Sequence, residues 1–145
     1  MEIGAAECFA GMIVPPGDIL FSAMADIQSC FYQCAISPEL SEYFCLPSIT
    51  CVECKNLGFH VKPSGKQIED SERIFLSLAV LPMGFTWAMW LIQRAHIELV
   101  RRAGVLESSI ALGAWPFPSL ATGSVEIPYC DNITVVGTEW SEVET

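Results

Sequence analysis

The sequence predicts a mixed α+β fold built on an antiparallel sheet, and three segments carry this prediction. Residues 19–25 form an apolar run with the length and composition of a buried strand. Residues 86–103 place apolar side chains at helical spacing. Residues 125–137 contain two strand-like runs around a short polar turn, the pattern of a β-hairpin. Because hairpin strands are antiparallel and an amphipathic helix covers an apolar surface, we expect helices packed on an antiparallel sheet.

The first part of the chain is predicted to hold short elements. The strand at residues 19–25 ends at Asp26. Ser37 is a favourable N-cap residue and Pro38 suits the first helical position, so one or two helical turns are expected there. Residues 43–47 are apolar and aromatic and end in a proline, which indicates a strand that stops at this proline.

Residues 48–73 differ in character from the segments on either side. They hold four of the seven basic residues of the chain, which are Lys55, Lys62, Lys66 and Arg73. Two glycines and a proline interrupt the same stretch. We expect an exposed excursion here, followed by a return strand at residues 75–81.

A long helix and a hairpin complete the predicted fold. Thr86 is expected to cap the helix and Gly104 to end it. The predicted buried face of this helix is formed by Ala88, Leu91, Ala95 and Leu99. The hairpin is expected to turn at Asp131 and Asn132, and the acidic tail at residues 138–145 is expected to fray.

Composition limits the class of protein. A chain of 145 residues with 52% hydrophobic residues buries a core as one domain, here predicted to span residues 1–145, and is not disordered. The net charge of −10 argues against a compact nucleic-acid-binding module, which is usually basic. The seven cysteines do not form a closed disulfide framework, and residues 1–7 lack the positive charge of a secretory signal. We expect an intracellular protein, cytoplasmic or nuclear and not secreted.

Two aspartates stand where a carboxylate requires a partner. Asp26 ends an apolar strand and Asp131 lies at the tip of the hairpin, with no lysine or arginine nearby in the sequence. A metal ion satisfies such carboxylates, and so does a buried hydrogen-bond network. The residues alone leave both explanations open.

The surroundings of these acids form three short motifs. Residues 25–32 contain an aspartate followed five residues later by an aromatic residue. Residues 81–88 contain Pro-x-Gly and lead into the helix that carries Gln93. Residues 129–132 read Tyr-Cys-Asp-Asn. In type and order these motifs resemble those of the reverse transcriptases, and the region from the first motif to the end of the hairpin spans about three quarters of the chain.

The resemblance implies a palm-type antiparallel sheet with a catalytic β-hairpin, backed by helices, from a retroelement (retrotransposon) enzyme. It implies two Mg²⁺ ions, a template of RNA or DNA with a primer, and deoxynucleoside triphosphates as substrates. Asp26 and Asp131 are then the catalytic metal ligands, joined by the Ile27 backbone and more weakly by Asn132. The residues implied to bind the nucleotide and template are Phe31, which excludes a 2′-hydroxyl, and Pro82, Met83, Gly84 and Tyr129.

The sequence departs from the family pattern in two ways. Asn132 replaces the second aspartate of the family's hairpin, so one ligand charge is lost. Residues 48–73 correspond to partial fingers and no thumb follows the hairpin, so we expect the other segments in a full-length polyprotein. An inactive, truncated remnant of the same fold is therefore an alternative to an active polymerase.

A non-enzymatic protein is the remaining alternative. The spacing of Cys45, Cys51, Cys54 and His60 permits a four-ligand zinc site. Residues 74–92 are nineteen uncharged positions, long enough for a membrane span. Because Pro82 and Gly84 interrupt this stretch near its centre, we predict a strand, a turn and a buried helix instead, with no membrane partner.

Overall fold

The computed structural model describes residues 6–113 and 116–144. The fold is mixed α and β with antiparallel sheets, as the sequence predicts. The helices are α1 (Ala6–Ala10), α2 (Cys30–Gln33), α3 (Pro38–Ser41), α4 (Cys51–Asn56), α5 (Ala88–Arg102) and α6 (Trp140–Val143). The strands are β1 (Phe21–Asp26), β2 (Ile49–Thr50), β3 (Arg73–Ile74), β4 (Val125–Tyr129) and β5 (Asn132–Gly137).

The chain divides into two compact units. The first combines Met1–Phe31 with Met83–Thr145, and the second is Tyr32–Pro82. The first unit holds a three-stranded antiparallel sheet in the order β1-β5-β4. Its core contains Val125, Ile127 and Val136 of the sheet, packed with Cys8, Ala111 and Leu120.

Strand β1 differs from the buried strand predicted at residues 19–25. It spans Phe21–Asp26, and Met24 at its centre is 73% exposed. The cause is its position, because β1 lies at the edge of the three-stranded sheet and pairs along only one side, with β5. An apolar run therefore forms an exposed edge strand here.

Helix α5 differs from the prediction in its first residue and in the face that is buried. It starts at Ala88 with Trp87 as N-cap, and the Ala88 N–H donates to the Phe85 carbonyl at 2.9 Å, so Thr86 does not cap it. Its end is as predicted, since Gly104 follows with φ of 94°. The buried residues are Ala88, Ile92, Gln93, His96, Ile97 and Val100, whereas Leu91, Ala95 and Leu99 are exposed. The face predicted from apolar residues alone is therefore wrong.

The acidic tail is folded up to residue 144. Trp140 of α6 packs edge-on against Phe21 of β1, with ring centroids 5.8 Å apart, and Val143 is buried. A Cβ added at Gly137 would lie 3.0 Å from Val143 Cγ2, so glycine permits this close approach. The prediction of a frayed tail is wrong because these apolar side chains reach the sheet.

The second unit has a small core of its own. Strands β2 and β3 pair antiparallel, and Thr50 caps α4 in a capping box with Glu53. Cys51 and Cys54 of α4 are each 1% exposed and pack with Ile68. The excursion predicted at residues 48–73 is therefore partly a packed helix and strand pair.

In this unit the predicted helix cap at Ser37 is correct, whereas the two predicted strands, at residues 43–47 and 75–81, form only in part. Ser37 caps α3, as predicted, by accepting the Leu40 N–H at 3.3 Å. The strand expected at residues 43–47 is a 3₁₀ turn and a single bridge between Cys45 and Ser77. The strand expected at residues 75–81 is reduced to that bridge and a second one, between Ala35 and Val80.

Candidate active site

The strand register brings together the residues of two motifs that lie far apart in the sequence. Asp26, the last residue of β1, pairs with Asn132, the first residue of β5. One step further, the Ile27 N–H donates to the Asp131 carbonyl at 2.7 Å. Because hydrogen-bonded and non-hydrogen-bonded pairs alternate in an antiparallel ladder, Asp26 and Asn132 occupy a non-hydrogen-bonded pair, with Cα atoms about 4.5 Å apart. The two candidate acids therefore lie at one end of the sheet, Asp26 at the end of β1 and Asp131 in the turn that precedes β5.

The side chains at this end of the sheet are polar and accessible. Asp26 is exposed, and Asp131 and Asn132 are half-buried. The Asn132 side-chain Nδ2 donates to Asp131 Oδ1 at 3.2 Å. Tyr129, paired with Asn132 from the other side, is 43% exposed. Since paired residues of a sheet share a face, Asp26, Asn132 and Tyr129 emerge on the same side.

The turn of the hairpin consists of Cys130 and Asp131, one residue earlier than predicted. Tyr129 and Asn132 form the last pair of the hairpin, so Asn132 belongs to β5 and not to the turn. Cys130 is 2% exposed and has φ of 53°, a left-handed conformation that is uncommon for a residue with a Cβ. The prediction placed the turn one residue too late because it relied on the polar pair Asp131 and Asn132, whereas the turn includes the buried Cys130.

Two buried polar side chains of α5 contact the backbone of this turn. Gln93, 1% exposed, accepts the Cys130 N–H at 2.7 Å and donates to the Pro128 carbonyl at 2.8 Å. The His96 Nδ1 atom, in a residue 4% exposed, lies 2.7 Å from the Cys130 carbonyl oxygen. Sequence reasoning assigned neither contact. The available signal was a glutamine and a histidine three residues apart, flanked by the apolar Ile92 and Ile97.

These contacts explain why the buried face of α5 differs from the prediction. A turn at the end of a buried hairpin presents N–H and carbonyl groups that require partners. Gln93 and His96 supply these partners, so their side of the helix faces the sheet. A prediction from apolar spacing alone selects Leu91 and Leu99 instead, and these remain exposed.

Backbone strain occurs beside both acids. In the described part of the chain, the non-glycine residues with positive φ are Ser29 and Cys130. Ser29 lies in the turn after Asp26, which the Cys30 N–H closes by donating to the Ile27 carbonyl at 3.1 Å. Such conformations persist where the surrounding structure holds them, and they concentrate at functional sites.

The surroundings of the Cys130 thiol disfavour its charged thiolate form. Burial raises the pKa of this thiol, and the negative charge of Asp131 raises it further, with a smaller contribution from the nearby Cys30. A raised pKa leaves the thiol protonated at neutral pH, and metal ions bind the thiolate. The other candidate donors at this end of the sheet are oxygen atoms.

The donor set suits a hard divalent cation. Asp26 and Asp131 supply carboxylate oxygens, Asn132 supplies an amide oxygen, and the Ile27 carbonyl retains a lone pair beside its bond from Cys30. Mg²⁺ is typically bound through one or two carboxylates and keeps several waters. Among residues 6–113 and 116–144, no cluster of three or more His, Cys, Asp and Glu side chains is arranged to hold a metal ion.

The residues predicted to bind the nucleotide differ in their exposure and in the unit to which they belong. Met83 is 66% exposed, and Gly84 has φ of 91° in the turn before α5. Phe31 is in the first turn of α2 and only 9% exposed. Pro82 ends the second unit, whereas Met83 begins the second segment of the first. The sugar-gating role of Phe31 stays a prediction.

The predicted zinc ligands have other surroundings. The Cys51 thiol donates to Asp70 Oδ1 at 3.5 Å and the Cys45 thiol to the Glu42 carbonyl at 3.2 Å. Cys54 is buried, whereas His60 is exposed.

The basic residues of the second unit are partly occupied by neighbouring acids. Lys55 pairs with Asp70 at 2.8 Å, and Lys62 pairs with Glu72. The hydrogen bond between Lys55 and Asp70 raises the pKa of Lys55 and lowers the pKa of Asp70. The fraction of positive charge in this unit that is available to phosphates is reduced accordingly.

Comparison with known proteins supplies no family assignment, since no family model and no curated protein matches the chain. Within its described residues, the chain contains no helix long and apolar enough to cross a membrane. The stretch at residues 74–92 includes β3 residue Ile74, the turn at Gly84 and the start of α5.

Proposed function

We propose that the chain is the palm-type part of a nucleotidyltransferase, a polymerase that adds nucleotides to a primer. Within that class we propose an RNA-directed DNA polymerase of retroelement type, which transfers a nucleotide from a deoxynucleoside triphosphate to a primer 3′-hydroxyl inside the cell. One observation carries the proposal: Asp26 pairs in register with Asn132, and Ile27 is hydrogen-bonded to Asp131. The first and third motifs, more than a hundred residues apart, thus meet at one end of an antiparallel sheet.

The chemistry proposed for this site requires divalent cations, expected to be two Mg²⁺ ions. When bound, they lower the pKa of the primer hydroxyl and neutralise the charge of the departing pyrophosphate. Asp26 and Asp131 would hold these ions through their negative charge. Asn132 orients the Asp131 carboxylate through its side-chain hydrogen bond. Met83 and Gly84 provide an exposed turn in the same unit against which a nucleotide can lie, and Tyr129 offers an accessible ring.

Asn132 is the residue on which the alternative, an inactive protein with the same fold, depends. At about 4 Å and an effective dielectric constant near 20, a carboxylate attracts a divalent cation by roughly 8 kcal/mol before desolvation is subtracted. The amide of Asn132 lacks this charge and directs its N–H group at Asp131. The expected consequence is weaker cation affinity than in a site with three carboxylates.

Primer extension by the full chain with Mg²⁺ on an RNA template tests the proposal. Asp26→Asn removes one ligand charge without changing side-chain size, so we expect extension to be lost. Asp18→Asn is the matched control, because Asp18 is an exposed carboxylate of the same unit outside the motifs. Equal extension by the wild type and Asp26→Asn would contradict the assignment of Asp26.

Asn132→Asp separates an active enzyme from an inactive relative. If the wild type extends primers, the added carboxylate lowers the Mg²⁺ concentration needed for half-maximal extension. If the wild type does not extend primers and Asn132→Asp does, the chain has the polymerase fold without the activity. Absence of extension by both proteins, with folding demonstrated by circular dichroism, would reject the polymerase proposal for this chain.

A further inference from the structure

We propose that His96 is a positioning residue that sets the direction of Asp131 by holding the peptide group immediately before it. The inference deepens the proposed function, on which the metal-binding role of Asp131 rests. His96 lies in α5, outside the three short sequence motifs. The structure places its ring, 4% exposed, against the carbonyl oxygen of the buried turn residue Cys130.

The hydrogen bond defines the tautomer of His96. A carbonyl oxygen only accepts hydrogen bonds, so the Nδ1 atom at 2.7 Å from the Cys130 oxygen carries the proton and donates it. The histidine thereby contacts backbone and not a side chain. Its effect depends on the conformation of the turn and not on which side chain residue 130 carries.

This contact acts on the peptide group that joins Cys130 to Asp131. A peptide group is planar, so fixing its carbonyl oxygen also fixes the direction of the Asp131 N–H bond. On the other side of Asp131, its own carbonyl accepts the Ile27 N–H at 2.7 Å. His96 and Ile27 therefore hold the two peptide groups that flank Asp131, and the Cα–Cβ direction of Asp131 follows from both.

The strained conformation of Cys130 shows why such support is needed. Its φ of 53° is unfavourable for a residue with a Cβ, so the turn relaxes unless neighbouring groups hold it. Gln93 holds the N–H group of Cys130 and His96 holds its carbonyl group. Removing the donor of His96 frees the carbonyl to rotate, and the Asp131 carboxylate then samples several directions.

The test uses two substitutions of His96 in the full chain. His96→Leu removes the donor, whereas the side-chain amide of His96→Asn places a nitrogen close to the position of Nδ1. His60→Leu, at an exposed histidine of the other unit, is the control. Mn²⁺ affinity is measured by water-proton relaxation. Backbone amide exchange at Cys130 and Ile27 is measured by NMR, and global stability by urea unfolding.

We expect His96→Leu to weaken Mn²⁺ binding by about 10–100-fold, the usual effect of removing a group that orients a metal ligand. His96→Asn should recover most of that affinity, and His60→Leu should leave it unchanged. Amide exchange at Cys130 and at Ile27, whose N–H groups are bonded to Gln93 and to the Asp131 carbonyl, should accelerate in His96→Leu by more than the change in global stability accounts for. If His96→Leu does not fold, His96→Gln replaces it, because the longer side chain displaces the donor.

Two results would overturn the inference: unchanged local exchange in the variant that lacks or displaces the donor, or equal effects of that variant and His96→Asn. Failure of the proposed function gives a different pattern. In that case the wild type does not bind Mn²⁺, while local exchange at Cys130 and Ile27 still depends on the donor at residue 96. The positioning role then stands without the polymerase.

Discussion

Replacing Gln93, a buried polar residue of α5, with leucine should destabilise the first unit. The Gln93 side chain is 1% exposed and makes two hydrogen bonds to backbone, accepting from Cys130 and donating to Pro128. Leucine has a similar size and no polar atoms. Gln93→Leu therefore leaves one N–H group and one carbonyl group buried without partners.

The expected cost follows from these two groups. A buried donor or acceptor that loses its partner costs about 1–3 kcal/mol, so two cost about 2–6 kcal/mol. The buried apolar surface of leucine offsets roughly 1–2 kcal/mol of this. The midpoints of these two ranges give a net loss of about 2.5 kcal/mol, which is a large part of the 5–15 kcal/mol by which a domain is typically stable.

Urea unfolding followed by tryptophan fluorescence measures this loss. All four tryptophans of the chain fall within the residue ranges of the first unit, so the signal reports on the unit that contains Gln93. Arg94→Leu is the matched control, because Arg94 is the exposed neighbour on the same helix and surface changes usually stay within about 0.5 kcal/mol. A free energy of unfolding for Gln93→Leu within about 0.5 kcal/mol of the Arg94→Leu value would refute the reasoning.

Two further predictions concern other parts of the chain. Burial raises the pKa of Glu126, and its Oε2 is buried without a hydrogen-bond partner within the described residues. The folded state therefore binds the Glu126 proton more tightly than the unfolded state does. The protonated Glu126 contributes fully to the free energy of unfolding below the ordinary glutamate pKa, and this contribution is lost as the pH rises through the raised pKa. Glu126→Gln should therefore gain stability relative to wild type between about pH 4 and pH 8 in urea unfolding, and a constant difference would contradict this. Thr50→Ala removes the capping box of α4 and should cost about 1 kcal/mol by circular dichroism in urea, whereas Thr50→Ser keeps the cap; equal losses would exclude capping as the cause.

Elements that depend on neighbours in the sequence were predictable. Ser37 followed by Pro38 starts α3, and Gly104 follows the end of α5, because a cap or a helix end involves residues only a few positions apart. The two strands of the hairpin were also correct, since β4 and β5 are separated by two residues. The three motifs identified Asp26 and Asp131 as the candidate acids for the same local reason.

The proximity of these two acids depends on pairing across the whole first unit. Strand β1 pairs with β5 in a register that joins Asp26 to Asn132, and residues 27–131 lie between them in the chain. No local pattern specifies such a register. The same pairing decides that β1 is an edge strand, which exposes Met24 in an apolar run that by itself suggests burial.

By itself the sequence determined the α+β class, the hairpin, the end of the long helix and the identity of the candidate acids. The tertiary structure alone decided which face of α5 is buried, that the turn lies at Cys130 and Asp131, and that Trp140 reaches Phe21. The physical reason is that a buried backbone N–H or carbonyl group requires a hydrogen-bond partner from wherever the chain supplies one. Gln93 and His96 supply it for the turn before Asp131, and only the folded chain brings them there.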